Sequence, residues 1–135
     1  MQQELLGAKH PDVATSLSNL ASYHSRLGDN ARARELGTRA LEMRRELLGN
    51  KHSNVANSLH NLASYYSCLG NRSRALELGT EALEMGRELL GNKHPSVATS
   101  LNNLSRYFLD LGNHFRALEL STEVSPFCTK LYIFA

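Results

Sequence analysis

Leu48-Gly49-Asn50-Lys51-His52-Ser53-Asn54-Val55-Ala56 decides the fold, because the chain writes it again as Leu90-Gly91-Asn92-Lys93-His94-Pro95-Ser96-Val97-Ala98. An earlier copy keeps Leu6, Gly7, Lys9, His10, Val13 and Ala14, and the step is 42 residues each time. The same step relates Leu17/Leu59/Leu101, Asn19/Asn61/Asn103, Leu20/Leu62/Leu104, Tyr23/Tyr65/Tyr107, Gly28/Gly70/Gly112 and Ala33/Ala75/Ala117. Between residues 7–48 and 49–90, 29 of 42 positions are identical. A fixed period of roughly 20–50 residues marks stacked supersecondary units, none able to bury its apolar face without a neighbour. Such a stack works through its surface rather than through a catalytic pocket.

Within residues 7–48 the apolar spacing is helical and falls into two blocks. Val13, Leu17, Leu20, Ala21, His24 and Leu27 recur at steps of three and four, one stripe of an amphipathic helix. Pro11 suits the first turn, where its missing N–H has no intrahelical partner, and Gly28 suits the residue just past the helix end. The second block runs from about Ala31 to Leu48, with Ala33, Leu36, Ala40, Leu41, Leu47 and Leu48 apolar. Its polar residues include Glu35 and Arg39, an i,i+4 pair of favourable polarity. Gly49 ends it. Connections this short force antiparallel neighbours, so the expected fold is all-α, a solenoid of stacked antiparallel helix pairs. The alanines let helix axes approach, and Leu17, Leu20 and Leu36 fill the space around them at roughly 1.5–3 kcal/mol each.

These residues resemble the tetratricopeptide repeat, in its long 42-residue form found in kinesin light chains. The match lies in Leu48-Gly49-Asn50-Lys51-His52, Val55-Ala56, Leu59-His60-Asn61-Leu62-Ala63, Leu69-Gly70 and Ala75-Leu76-Glu77, with its recurrence from Leu90. On the first helix the family's large–leucine–small–aromatic pattern reads Leu17, Leu20, Ala21, His24, then Leu59, Leu62, Ala63, Tyr66, then Leu101, Leu104, Ser105, Phe108. On the second helix the family's small–bulky–small trio reads Ala33, Gly37, Ala40, then Ala75, Gly79, Ala82, then Ala117, Ser121, Val124. The middle member departs from the pattern, and each glycine costs about 1 kcal/mol of helix propensity. Either the recurring tyrosine fills the gap or the repeats pack loosely. The resemblance implies a right-handed α-solenoid. Its expected units are residues 1–6 as the end of a preceding second helix, then repeats 7–48 and 49–90. An incomplete repeat 91–124 and a non-repeat tail 125–135 follow. The tail either folds back as a cap or frays, and the uncapped ends invite self-association.

Bulk properties exclude several functions. Among 135 residues, Lys+Arg 15 against Asp+Glu 13 leaves no basic excess for neutralising phosphates, so no nucleic-acid partner is expected. No apolar run approaches the ~18 residues of a membrane span. Met1-Gln2-Gln3-Glu4-Leu5-Leu6 lacks the basic and apolar regions of a signal peptide. The expectation is a cytoplasmic protein with Cys68 and Cys128 as reduced thiols.

Catalytic and metal motifs are equally absent from the reading. His10, His52 and His94 recur once per unit, too far apart to share an ion, and no C-x-x-C or H-x-x-x-H pair completes a site. Each is expected to pack over its turn and bond a loop carbonyl. No phosphate-binding glycine loop or nucleophile elbow occurs, so neither an enzyme nor a cofactor is expected.

The resemblance places the first helices on a concave surface. The stripe opposite the buried leucines then offers Asn19, Ser22 and Arg26, next Asn57, His60, Asn61 and Ser64, and last Asn102, Asn103 and Arg106. These polar groups can hydrogen-bond an extended main chain. In the family, asparagines at the place of Asn19, Asn61 and Asn103 contact the ligand backbone. The competing reading is that asparagine is merely tolerated on a half-exposed face, copied with the repeat. Of the groove's charges, Arg26 and Arg106 face an opposing Asp110, a poor cradle for an acidic peptide. The expected function is a protein–protein interaction scaffold holding a peptide or partner helix in this groove, within a longer array. The alternative is a regulatory sensor or self-association arm of a larger signalling protein, for example one with a nucleotide-binding domain.

Overall fold

The structure, a computed structural model, describes residues 11–123, and among these no strand occurs. The expectations for residues 1–6, His10, Cys128 and the tail 125–135 lie outside the described residues. Helices α1 (Pro11–Arg26), α2 (Asn30–Leu48), α3 (Ser53–Cys68), α4 (Arg72–Leu90) and α5 (Pro95–Asp110) follow in order, and α6 covers residues 114–123. Each packs on the next: α1 on α2, α2 on α3, α3 on α4 and α4 on α5. That is the expected stack of helix pairs.

Turn chemistry makes each hairpin. At the end of α1, Gly28 adopts φ +89°, open to glycine without the clash a Cβ would bring. The Asp29 N–H then reaches back to the His24 carbonyl at 2.8 Å, satisfying a helix-end acceptor. The same Asp29 carboxylate accepts from the Arg32 N–H at 3.1 Å and so caps α2. Asn71 does both in the second unit, through Tyr66 O and Arg74 N, and Asn113 in the third, through Phe108 O and Arg116 N. One residue thus ends one helix and starts the next, which fixes the hairpin.

The histidines of the inter-repeat loops act differently from the expectation. His52 Nδ1 accepts from the Asn54 N–H at 3.0 Å, and His94 Nδ1 from the Ser96 N–H at 3.1 Å. They are helix N-caps for α3 and α5; the orphan amides of a first turn need acceptors, whereas loop carbonyls can reach water. The Glu35–Arg39 pairing also gives way. Glu35 takes Arg32 at 2.8 Å, one turn earlier.

The core runs along the seam between units. Leu36, Leu59, Leu62, Leu78, Leu101, Leu104 and Leu120 are buried, with Ala33, Ala40, Ala63, Ala75 and Ala82 between them. The missing bulk on the second helices is supplied by the following repeat. A Cβ at Gly37 would meet Tyr65 Cε2 at 3.2 Å and Leu62 Cδ1 at 3.3 Å. One at Gly79 would meet Leu104 Cδ2 at 3.0 Å and Tyr107 Cε2 at 3.5 Å. The tyrosine, with its leucine, fills the gap, and the packing is not loose. In the third unit the Ser105 hydroxyl donates to the Ala117 carbonyl at 3.0 Å and pairs with Ser121 Oγ at 2.8 Å. There a polar contact joins α5 to α6.

Leu20 corrects the expected core. It is 44 % exposed, where Leu62 and Leu104 are each 2 % exposed. Tyr23 is likewise 57 % exposed against 6 % for Tyr65. The cause is positional. Leu62 and Tyr65 are covered by Gly37 of the preceding second helix, and among the described residues no second helix precedes α1.

Candidate functional site

Two long surfaces run across the stack. Successive second helices are laced by ion pairs, Arg45 with Glu81 at 2.6 Å and Arg87 with Glu123, and Lys51 of the inter-repeat loop adds a pair with Glu88 of α4 at 3.3 Å. Exposed pairs of this kind contribute little each, roughly 0–1 kcal/mol, but they make that surface charged and self-complementary. The surface formed by α1, α3 and α5 is mostly uncharged. Its helices meet where Asn103 Nδ2 lies 3.2 Å from His60 Nε2, a bond from α5 back to α3.

Every residue expected in the groove is at least partly accessible. On α1, Asn19 and Arg26 are exposed and Ser22 is half-buried; on α3, Asn57 and Ser64 are exposed and His60 and Asn61 half-buried; on α5, Asn102 and Arg106 are exposed and Asn103 half-buried. They are not equivalent. The Arg106 guanidinium donates to Asn103 Oδ1 at 2.8 Å, so Asn103 is held between Arg106 and His60. Asn19 and Asn61 make no side-chain hydrogen bond among the described residues. The asparagine ladder therefore has two free rungs and one already engaged. Asp110 approaches Arg72 Nε of α4 at 3.8 Å, so its nearest charge lies on a second helix and not on Arg106.

The His60–Asn103–Arg106 chain fixes a protonation state. Arginine can only donate, so Asn103 must offer its oxygen to Arg106 and its amide N–H to His60. His60 Nε2 is then an acceptor and the ring is neutral, carrying its proton on Nδ1. Burial pushes the His60 pKa down from its ordinary value, which acts in the same direction. Burial also raises the pKa values of the Tyr65 and Tyr107 hydroxyls, keeping the gap-filling rings neutral.

Beside the groove a cleft of ≈ 430 Å³ opens between α3, α4 and α5, within the usual range for small-ligand sites. Its lining includes Asn57 and His60 of α3, Ala82, Gly86 and Leu89 of α4, and Ser96, Thr99 and Ser100 of α5. Gly86, Ser96 and Ser100 were not legible as site residues from the helical stripe. One signal did mark them: Gly86 stands where the otherwise near-identical first repeat has Arg44. Among the described residues no cluster of three metal-ligating side chains occurs, and no helix is long and apolar enough to cross a membrane.

Comparison with known proteins agrees with this architecture. The profile described as Tetratricopeptide repeat matches residues 1–46, 26–88 and 75–130. The crystal structure of BtubC (BKLC) from P. vanneervenii superposes with a TM-score of 0.81 at 28 % identity, over 85 % of this chain and 46 % of that one. A candidate kinesin light chain of Podosopora anserina, built of nearly identical TPR-like repeats, gives 0.77 at 28 % identity, over 86 % of this chain and 55 % of that one. The TPR domain of Arabidopsis FLU shares the fold, with a TM-score of 0.75 at 14 % identity over 86 % of this chain and 95 % of that one. This chain thus spans about half the length of the first two. No curated protein sequence matches it. The chain belongs to the tetratricopeptide repeat family, as a right-handed α-solenoid with 42-residue units of the kinesin light chain type.

Proposed function

We propose that the surface of α1, α3 and α5 is a groove for an extended peptide of a protein partner, which makes the chain a protein–protein interaction scaffold. Tetratricopeptide repeats generally mediate protein–protein interaction. The observation that carries the reading here is the pair of unoccupied amides, Asn19 and Asn61, one repeat apart on an accessible, mostly uncharged face. A primary amide offers both a donor and an acceptor, which is what a peptide unit of an extended chain requires. Spaced by one helix pair, successive amides address successive stretches of one strand-like ligand. Three first helices offer a short face, so modest affinity is expected of this stretch unless further repeats flank it.

Selection of a random-sequence display library on the purified protein, followed by titration of the enriched peptides, tests this. Asn61→Ala is expected to weaken binding about tenfold, as loss of an amide pair to a desolvated backbone does, with the melting temperature nearly unchanged. Asn103→Ala should weaken it less, because part of that amide is already spent on His60 and Arg106. Unchanged affinity in Asn61→Ala would rule out the groove reading.

A further inference from the structure

The two inter-repeat seams among the described residues are built from nearly the same residues, and they differ at one informative place. At the first seam Arg44, 8 % exposed, inserts its side chain between α2 and α3. Its guanidinium donates to Ser58 Oγ at 2.7 Å and to the Asn54 carbonyl at 3.3 Å. At the second seam the counterparts are Gly86, Ser100 and Ser96. The two acceptors are retained in kind, a serine hydroxyl and a helix-start carbonyl, while the arginine is gone. All three counterparts, Gly86, Ser96 and Ser100, lie in the lining of the cleft that opens beside the groove. The Ser100 side chain makes no hydrogen bond among the described residues.

We infer that this cleft is a receptor slot for an arginine side chain of the partner peptide, entering from the groove and taking the place that Arg44 holds one repeat earlier. The inference rests on the groove reading and specifies one residue of its ligand.

The chemistry follows from the occupied copy. Arg44 has only neutral oxygens as its hydrogen-bond acceptors, so the slot needs no carboxylate. A guanidinium is planar, weakly hydrated and rich in donors, and suits acceptors set at fixed angles better than an ammonium does. The cleft walls hold no lysine or arginine to repel it. His60 in the lining is neutral in its bond to Asn103, so it adds no repulsion either. Leu89 and Ala82 belong to the lining and offer the apolar contact an arginine stem uses.

The test reads the slot without a groove-length peptide. The intact ¹⁵N-labelled protein is titrated with N-acetyl-arginine-methylamide, and in parallel with the citrulline and norleucine analogues. Saturable millimolar shifts at Gly86, Ser96 and Ser100 are expected for arginine, with at least about fivefold weaker binding of citrulline, which has the shape without the charge. Gly86→Arg is expected to fold, since Arg44 occupies the equivalent place, and to abolish the shifts. Should that variant not fold, Ser100→Ala replaces it and is expected to weaken binding about tenfold. Equal binding of citrulline or norleucine, shifts elsewhere on the protein, or shifts that survive these variants would overturn the slot. Loss of the slot with Asn61-dependent peptide binding intact would leave the groove standing. Arginine binding with no Asn61 dependence of the peptides would instead sink the groove alone.

Discussion

Replacing Gly86 by alanine is expected to stabilise the stack, whereas the same change at Gly37 is expected to destabilise it. Both glycines lie inside helices, α4 and α2, and alanine gains about 1 kcal/mol of helix propensity at such a place. The surroundings decide the rest. At Gly86 the new methyl would have its nearest neighbour, Val97 Cγ2, at 3.7 Å, an ordinary contact. The gain of about 1 kcal/mol is therefore kept. At Gly37 the methyl would lie 3.2 and 3.4 Å from the Tyr65 ring and 3.3 Å from Leu62. Those side chains are 6 % and 2 % exposed and have nowhere to retreat, and overpacking of this sort costs about 1–3 kcal/mol. The net is a loss of about 0–2 kcal/mol. The two variants should thus differ by about 2 kcal/mol, or about 8 °C in melting temperature for a chain of this size. Thermal and urea unfolding followed by circular dichroism at 222 nm measures the difference. Equal stabilisation by both substitutions would refute the reasoning, because it would mean that nothing fills the Gly37 site.

Other consequences follow from the same contacts. Arg44→Ala should lower stability by about 1–3 kcal/mol in urea unfolding, since it strands the buried Ser58 hydroxyl and empties a packed volume. The folded His60 pKa lies below its unfolded value of about 6.5. The unfolded chain therefore binds this proton more readily, and the His60 contribution is complete above about pH 6.5 and lost as pH falls below it. The melting temperature at about pH 5.5 should be lower than at about pH 7.5, and His60→Gln, which can still accept from Asn103, should shrink that difference. Leu20 and Tyr23 are the exposed counterparts of Leu62 and Tyr65, so sedimentation should show concentration-dependent association. Lysine at both positions should suppress it without lowering the melting temperature; a wild-type protein that stays monomeric at high concentration would refute the prediction.

What could be read before the coordinates, and what could not, divides along a physical line. Periodicity reports which side chains must be buried against something, so the helix pairs and the seam of Leu36, Leu59, Leu62 and Leu104 were legible, while the tyrosine was one of two candidates for the Gly37 gap until the Tyr65 contact decided it. It does not report whether that something is present. Leu20 carries the same pattern as Leu62 and is exposed, while Leu62 packs against the Gly37 site of the preceding second helix. Capping is a matter of local backbone geometry, which is why Asp29, Asn71 and the loop histidines could not be assigned from apolar spacing. The groove residues were found as a face, yet the bonds that hold Asn103 and free Asn61 depend on side-chain conformation across repeats. The cleft had a sequence signal in Arg44 against Gly86. Reading it required knowing that Arg44 is buried, since an arginine on a helix is otherwise presumed solvated.

The interlock of neighbouring units is tested most directly by proton–proton nuclear Overhauser effects across the two seams. Strong effects are expected from the Gly37 α-protons to the Tyr65 ring and from the Gly79 α-protons to the Leu104 methyls, where a Cβ would sit 3.2 and 3.0 Å from those groups. Their absence in the assigned spectrum of the folded protein would contradict the stack.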